Sequence, residues 1–286
     1  MNHMIRLAIQ KSGRLSEDSL NLIRECGISF LSSTYKLKTE ATNFPLEILF
    51  LRDDDIPGYV QDGVADLGIV GQNVLIEAGY PALEVETLGF SKCRLSLAVP
   101  RGANYTGVGD LEGKNIATSY PEILGRYLAG EGVKAQLHTI SGSVEIAPSI
   151  GLADAICDIV SSGSTLLGNG LREVETVFRS EAVLIANQNL SAEKQELLDQ
   201  LRFRMQAVRR ARRNKYIILN APIAALDQVK ALLPGIKSPT VTKLAEEGWV
   251  SVQSVVNEDD FWHVTDQLKA VGAEGLLVLP IEKMIA

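Results

Sequence analysis

The 286-residue chain is 46% hydrophobic and carries a formal net charge of −7, enough for more than one core and too acidic for nucleic acid or an anionic membrane to be its main partner. Cys26, Cys93 and Cys157 form no CxxC pair, which points to a reducing compartment rather than a disulfide framework. No apolar run approaches the roughly 20 residues of a membrane helix, and "MNHMIRLAIQKSGRL" lacks a signal peptide's unbroken apolar core, so a cytoplasmic location is expected.

Strand-like and helix-like segments alternate, the pattern of an α/β protein with parallel sheets. "IRLAIQ" reads as a strand, "LSEDSLNLIRECG" as a helix ending at Gly27 and "LEILFLR" as a strand. "DDDIPGYVQDG" is helix-like from Pro57, and "ADLGIVG" is a short buried strand. An internal echo follows. "DGVADLGIVGQNVLIEAG" and "IGLADAICDIVSSGSTLLGNG" share a helix, a Gly-x-Ala-Asp turn, a buried strand and a polar turn. Two lobes of like construction would place two polar turns at carboxyl ends of strands, where open α/β sheets bind ligands. A common helix-to-strand connector would give the same four matched residues.

The turn-rich segment "RGANYTGVGDLEGKNIATSY" marks entry into a second lobe, and "AVLIAN" is a strand returning to the first sheet. "SAEKQELLDQLRFRMQAVRRARRNKY" is an amphipathic helix with Leu198, Leu201, Met205 and Val208 on one face. Its acidic start and basic end, Arg209 to Arg213, complement a helix dipole; without interleaved aromatics the arginines do not suggest a nucleic-acid surface. The remainder reads βαββαβ: "KYIILNAP", "IAALDQVKALLPG", "PTVTKLA", "VSVQSVV", "NEDDFWHVTDQLKAVG" with Asn257 as N-cap, and "AEGLLVLPIEKM". That is a ferredoxin-like domain without clustered chemistry, suited to regulation or assembly.

Several chemistries are excluded. His3, His138 and His263 share no metal-binding spacing, there is no G-x-S-x-G elbow, and Gly107, Gly109 and Gly113 do not match a dinucleotide fingerprint. "CDIVSSGSTLLGNG" survives the filter. An apolar strand runs into Ser161, Ser162, Gly163, Ser164 and Thr165 at a helix start, offering N–H groups, hydroxyls and a helix dipole to a phosphate. The absence of lysine excludes a P-loop and favours a phosphate monoester. Asp158 suits sugar hydroxyls or a magnesium ion; a capping turn without ligand would use the same residues. In the other lobe, "QKSGRL" sets Lys11 and Arg14 beside Gly13 after the first strand, and Arg52 closes the next strand ahead of Asp53, Asp54 and Asp55. Positive groups at neighbouring strand ends suit a polyphosphate, whereas Lys36 and Lys38 read as solvated.

"QKSGRL", "RDDDIPGYVQDGVADLGIVGQN", "CRLSLAVP", "IATSYP", "SGSVEIAP", "GLADAICDIVSSGSTLLGNGLREVE" and "LPIEKM" together resemble the ATP phosphoribosyltransferase family, in order over essentially the whole chain and most closely its long form. The resemblance implies an α/β fold with a two-lobed, periplasmic-binding-protein-like catalytic core and a C-terminal ferredoxin-like (ACT-like) regulatory domain. With it, lobe I and its connecting helix are expected over 1–98 and 182–212, lobe II over 99–181 and the regulatory domain over 213–286. The implied reaction joins ATP and phosphoribosyl pyrophosphate into N1-(phosphoribosyl)-ATP and pyrophosphate, with Mg2+ as cofactor, as the first step of histidine biosynthesis.

The resemblance also implies residue roles. The phosphoribosyl pyrophosphate loop corresponds to Asp158 through Leu166, with Ser161, Ser162, Gly163, Ser164 and Thr165 around the 5′-phosphate. Only one acidic residue precedes that turn, where the wider phosphoribosyltransferase motif has two. Arg14 and Arg52 fall on the ATP and pyrophosphate side, with Lys11 and Gly13 in the same turn. Glu145 is a candidate for ribose contact or adenine orientation, or else caps a helix. "GIKSPT" matches the segment for the feedback inhibitor histidine, with Ile236, Ser238, Thr240 and Gly275 around it. Dimers and hexamers of one chain are implied, and no nucleic-acid or membrane partner. A non-catalytic two-lobed binding protein is the alternative from a different class.

Overall fold

The computed structural model describes residues 4–31, 37–161, 163–233 and 235–285, so the expectations at His3, Lys36 and Ser162 lie outside the described residues. The first elements are β1 (Ile5–Gln10), α1 (Arg14–Glu25), β2 (Lys38–Glu40), β3 (Leu46–Leu51), α2 (Ile56–Gln61), β4 (Leu67–Gly71), α3 (Gln72–Ala78) and β5 (Leu83–Thr87). They are followed by β6 (Cys93–Pro100), β7 (Asn115–Thr118), α4 (Pro121–Gly130), β8 (Gln136–Thr139), β9 (Ala155–Val160), α5 (Ser164–Gly168) and β10 (Leu171–Ser180). Strand β11 (Ala182–Ala186) and helix α6 (Ala192–Arg212) come next.

These strands form two sheets of the same plan. The first has the order β2-β3-β1-β4-β11-β5, the second β10-β6-β9-β7-β8. In each, a parallel trio (β3-β1-β4; β8-β7-β9) is extended by an antiparallel strand from the far side of the chain, β11 or β6. This is the two-lobed, periplasmic-binding-protein-like arrangement. Its central strands are near-continuous apolar runs such as "LEILFL" and "LGIVG", as burial on both faces demands.

The internal echo has a physical basis. In lobe I the Asp66 carboxylate accepts the Arg6 N–H at 2.8 Å while the Asp66 N–H donates to the Arg6 carbonyl at 3.0 Å. In lobe II Asp154 makes the same pair of bonds with Asn115, at 2.9 and 2.8 Å. Each Gly-x-Ala-Asp turn thus ties the start of its lobe's central strand to the strand that follows the turn. Gly63 and Gly151, at φ +69° and +74°, occupy the left-handed region that glycine takes without strain.

Two corrections concern boundaries. Strand β6 pairs with β9 and β10 from Cys93 onward, so the second sheet begins before residue 99: the alternating pattern "CRLSLAVP" precedes the turn-rich stretch. The crossings between lobes run side by side, with Leu88 N–H bonded to the Ala182 carbonyl and Ala182 N–H to the Phe90 carbonyl. The compact units divide inside helices, one comprising residues 1–21 and 28–198, the other 22–27 and 199–286. In the second unit, Arg212 of α6 forks onto Glu25 at 2.8 and 2.9 Å. Lys38 is exposed, as expected, and also bonds the Glu47 carboxylate at 2.7 Å.

After α6 come β12 (Asn214–Pro222), α7 (Leu226–Leu232), β13 (Thr240–Lys243), β14 (Trp249–Asn257), α8 (Phe261–Ala270) and β15 (Glu274–Pro280). Their antiparallel sheet, β13-β14-β12-β15, is the ferredoxin-like order. Ile217, Leu219, Val250 and Val252 form its core with Val229 and Leu268 of the helices. Asn257 ends β14 and takes the Asp259 N–H in a turn, so it is not the cap of α8, which starts later at Phe261. No helix among the described residues is long and apolar enough to cross a membrane.

Gly68, on the central strand β4, marks where the lobe I core has no spare volume. A Cβ there would lie 2.6 Å from Ile56 Cγ2 and 3.1 Å from Val60 Cγ2 and Ile185 Cγ1, all branched core side chains. Gly68→Ala is therefore expected to destabilise the protein by about 1–3 kcal/mol through overpacking, read as a lower denaturant midpoint. An unchanged midpoint would mean that α2 yields freely.

Candidate active site

Strand β9 delivers Asp158 and then turns. Gly163 sits at φ +82°, and Ser164 opens α5 directly after it. Successive left-handed and right-handed residues turn neighbouring N–H groups toward one side, and the first-turn N–H groups have no acceptor within the helix. With only five residues, α5 contributes far less dipole than the helix start expected from sequence. What the loop offers is chiefly hydroxyls and N–H groups. Ser161, Ser164 and Thr165 are exposed, whereas Leu166 buries its side chain in the lobe II core and can offer only backbone.

Asp158, Ser161, Gly163, Thr165 and Leu166 line one cavity of about 270 Å³, and Glu145 lines it too. Glu145 arrives on the 3-10 turn Val144–Ile146, whose preceding Ser143 is at φ +51°. Burial pushes the Asp158 carboxyl above the ordinary range and the nearby Glu145 carboxylate adds to it; the Ile159 N–H, bonded to Asp158 Oδ1 at 2.8 Å, opposes them. A carboxylate held at such a cost is characteristic of functional sites.

The basic turns lie at the carboxyl ends of adjacent parallel strands. Gln10 and Leu51 are register partners, and the Lys11 N–H bonds the Leu51 carbonyl at 2.7 Å, tying the turn of Lys11, Gly13 and Arg14 to the strand that ends before Arg52. Gly13, at φ +96°, makes the tight exit from β1 possible. Lys11, Arg14 and Arg52 are exposed, with Arg14 Nε 4.0 Å from Asp18. None of the three lines the loop cavity, so the two parts of the expected site are assembled on different lobes rather than in a single pocket.

Between the lobes lies a second cavity, of about 390 Å³, lined by Asp53, Asp54, Val74 and Glu77 on one side and Ser119, Tyr120 and Ser141 on the other. Burial raises the Asp54 carboxyl, the carboxylates of Asp53 and Asp55 raise it further, and Arg52 opposes them. Tyr120, which is not among the expected site residues, also lines this cavity. Its hydroxyl bonds Asn73, and burial together with the charges of Asp158, Asp53 and Asp54 keeps the phenol protonated. It therefore stands where the loop and the acidic turn converge. Its signal in the sequence is an aromatic hydroxyl between a strand and a helix-starting proline in "IATSYP".

The lobes are also joined chemically at this cleft. Glu77 of lobe I accepts the N–H groups of Glu122 and Ile123 at 2.9 and 3.1 Å, capping α4 of lobe II. Asn73 is buried, accepts the Ser180 hydroxyl at 2.7 Å and donates its N–H to it at 3.1 Å; Ser180 in turn bonds the Cys93 thiol.

In the C-terminal domain the four expected effector residues are not brought together. Thr240 begins edge strand β13, with Ile236 and Ser238 just before it, while Gly275 lies on β15 at the opposite edge, three strand spacings or about 14 Å away. A Cβ on Gly275, at φ +62°, would come within 3.3 Å of Asn220. Ile236 instead lines a cavity of about 590 Å³ with Leu233, Val256, His263 and Met284.

Comparison with known proteins gives the family. A family model described as ATP phosphoribosyltransferase matches residues 52–207, and one described as the HisG C-terminal domain matches 211–283. An ATP phosphoribosyltransferase of Cytophaga hutchinsonii is 63% identical over 285 residues, covering 100% of both chains. One of Parabacteroides distasonis is 58% identical, covering 99% of this chain and 100% of its own. Among solved structures, an ATP phosphoribosyl transferase (HisG:HisZ) complex from Thermotoga maritima superposes with a TM-score of 0.60 at 28% identity, covering 71% of this chain and 99% of that one. Full-length identity at this level, with a family match over more than half of the sequence, makes this chain a member of the ATP phosphoribosyltransferase family.

Proposed function

We propose that the loop from Asp158 to Leu166 binds phosphoribosyl pyrophosphate, and that ATP is brought to it from the lobe I side of the cleft. The observation that carries this reading is the single cavity shared by Asp158, Glu145 and the small hydroxyl residues of the loop. Ser161, Ser164, Thr165 and the loop N–H groups receive the 5′-phosphate; Asp158, and Glu145 opposite it, take ribose hydroxyls. Lys11, Arg14 and Arg52 hold polyphosphate charge at the ends of β1 and β3, with Gly13 keeping the turn tight.

Adenine N1 then displaces pyrophosphate at ribose C1 with inversion. Positive charge develops on the sugar and negative charge on the leaving group, so groups fixed around both lower the barrier. Arg14 and Arg52 act on the leaving side. Among the described residues there is no cluster of three or more His, Cys, Asp or Glu set to hold a metal. Magnesium needs no such cage, since it is commonly held by one or two carboxylates, water and substrate phosphates, a donor set that Asp158 and Glu145 fit. When bound, the ion neutralises pyrophosphate charge. Purified protein mixed with ATP, phosphoribosyl pyrophosphate and magnesium is expected to release pyrophosphate and N1-(phosphoribosyl)-ATP, identifiable by mass; a two-lobed binding protein would consume neither substrate.

Histidine is proposed as the inhibitor of a homo-oligomer, dimer or hexamer. Because Thr240 and Gly275 sit on opposite sheet edges, a histidine touching both would have to lie between two copies, with Ile236 and Ser238 from one of them.

Three outcomes check these assignments. Thr165→Val keeps shape and removes a hydroxyl bonded to a charged group, so it should raise the KM for phosphoribosyl pyrophosphate by about 10-fold and leave that for ATP nearly unchanged. The double variant Ser238→Ala, Thr240→Ala should retain turnover and lose histidine inhibition; full inhibition would move the effector site elsewhere.

Asp158→Asn should lower kcat/KM by at least about 10-fold while stabilising the free protein. Burial raises the folded-state pKa of Asp158, so its ionisation costs nothing below the ordinary carboxylate pKa and destabilises the fold increasingly as pH climbs through the raised value. The variant's Tm should exceed the parent's at neutral pH and converge with it in acid. A lower Tm at neutral pH would contradict the burial argument.

A further inference from the structure

Arg94 lies on β6 directly opposite Val160, the last residue of β9, so its side chain is carried just past the strand end where the loop begins. Two of its nitrogens grip one carboxylate: Nε donates to Glu173 Oε1 and Nη2 to Glu173 Oε2 at 2.6 Å. The Ser96 hydroxyl donates to the same Oε1 at 2.8 Å. The remaining terminal nitrogen, Nη1, donates to the carbonyl of Ser161 at 3.2 Å. Glu173 is aimed at this cluster from β10, whose register against β6 slips between Glu173 and Glu175, the kind of bulge that redirects a side chain.

The chemistry separates two uses of an arginine beside a phosphate loop. An anion ligand keeps its fork free for the anion. Arg94 spends the fork on Glu173, which fixes the guanidinium plane, and turns its other terminal nitrogen to a loop carbonyl. The pair is only partly screened from water, with side chains 29% and 28% exposed, and each partner favours the other's charge: the Glu173 carboxyl is lowered, the Arg94 guanidinium raised. At the far end of the loop, Leu166 is anchored in the core and the Asn169 side-chain amide donates to the Thr165 carbonyl at 2.9 Å.

We propose that Arg94 is a positioning residue for the phosphate-binding loop, pinning the carbonyl of its first residue, and that Glu173 acts through Arg94. This rests on the reading that Ser161 to Thr165 receive the 5′-phosphate. The strut fixes the direction in which the chain leaves β9, and with it the placement of the hydroxyls that follow.

The test uses the full-length chain and four variants: Arg94→Met, Arg94→Lys, Glu173→Gln and the double Arg94→Met, Glu173→Gln. Amide hydrogen exchange over residues 158–168 is measured without substrate, and steady-state kinetics with both substrates. Arg94→Met should speed exchange in the loop and raise the KM for phosphoribosyl pyrophosphate by about 10-fold, with the KM for ATP changed less than about 2-fold. Arg94→Lys, which keeps the charge without the fork, should restore only part of this. Glu173→Gln should shift both readouts in the same direction by less, and the double variant should be no worse than Arg94→Met. Should Arg94→Met fail to fold because Glu173 is left unpaired, the double variant reads the loop in its place.

Unchanged loop exchange overturns the strut wherever the substrate binds. Faster exchange with an unchanged KM for phosphoribosyl pyrophosphate, shared by Thr165→Val, overturns the phosphate assignment of the loop and the role of Arg94 with it. Equal increases in both Michaelis constants overturn a loop-specific role, and additive effects in the double variant overturn the route from Glu173 through Arg94.

Discussion

The site depends on the short polar seam that joins the two lobes. The chain crosses between them twice, near Cys93 and Ser180, and both crossings are bonded into one cluster: Cys93 to Ser180, Ser180 to Asn73, Asn73 to the Tyr120 hydroxyl. Beside it, Glu77 supplies to α4 the cap that Tyr120, at the helix start, does not give with its own side chain. Buried polar groups are costly unless satisfied, so a seam of this kind favours one arrangement of the lobes over a continuum. Since the basic turns belong to one lobe and the Asp158–Leu166 loop to the other, that arrangement sets the distance between whatever the two lobes bind.

The repeated plan of the two lobes explains why the expected site residues lie where they do. Each lobe ties its central strand with the same aspartate clamp, and each opens its polar turns at carboxyl strand ends. The lobes then diverge by charge. Lobe I contributes Lys11, Arg14 and Arg52 at the ends of β1 and β3; lobe II contributes hydroxyls and one costly carboxylate at the end of β9. A similar scaffold thereby presents two complementary faces to a reaction in which both partners carry phosphate.

Legibility from sequence followed the locality of the cause. The parallel trios could be read because short apolar runs bounded by glycines and aspartates encode buried strands within a few residues, and the Asp158–Leu166 loop is a contiguous stretch. Strand β10, "LREVETVFRS", is harder to read: an edge position lets Arg172, Glu173 and Glu175 alternate with apolar residues, and its bulges break the period. Helix α4 has Ile123, Leu124 and Leu128 on one face but Gly125 inside it. The cap on α4 comes from 45 residues upstream, and Arg94 reaches Glu173 across 79. Nothing in either local pattern signals those contacts. The separation of Thr240 from Gly275 follows from the ferredoxin-like strand order, which sets the second and fourth strands of the βαββαβ unit on opposite edges.

Charge finally constrains how such a cleft can admit polyanions. Asp53, Asp54 and Glu77 line the space between the lobes and Asp158 and Glu145 line the loop cavity, in a chain whose net charge is already −7. Bare triphosphate or pyrophosphate would be repelled from such walls, and like charges in a partly desolvated site interact more strongly than in water. On the proposed assignment the conflict resolves by separation. Phosphates lie against the basic strand ends and the loop N–H groups, whereas the uncharged portions, sugar hydroxyls and adenine, face the carboxylates, which can only accept hydrogen bonds while ionised. On that assignment the same carboxylates would stabilise cationic character on the ribose as the pyrophosphate departs, so groups that discourage the ground-state anion would favour the transition state.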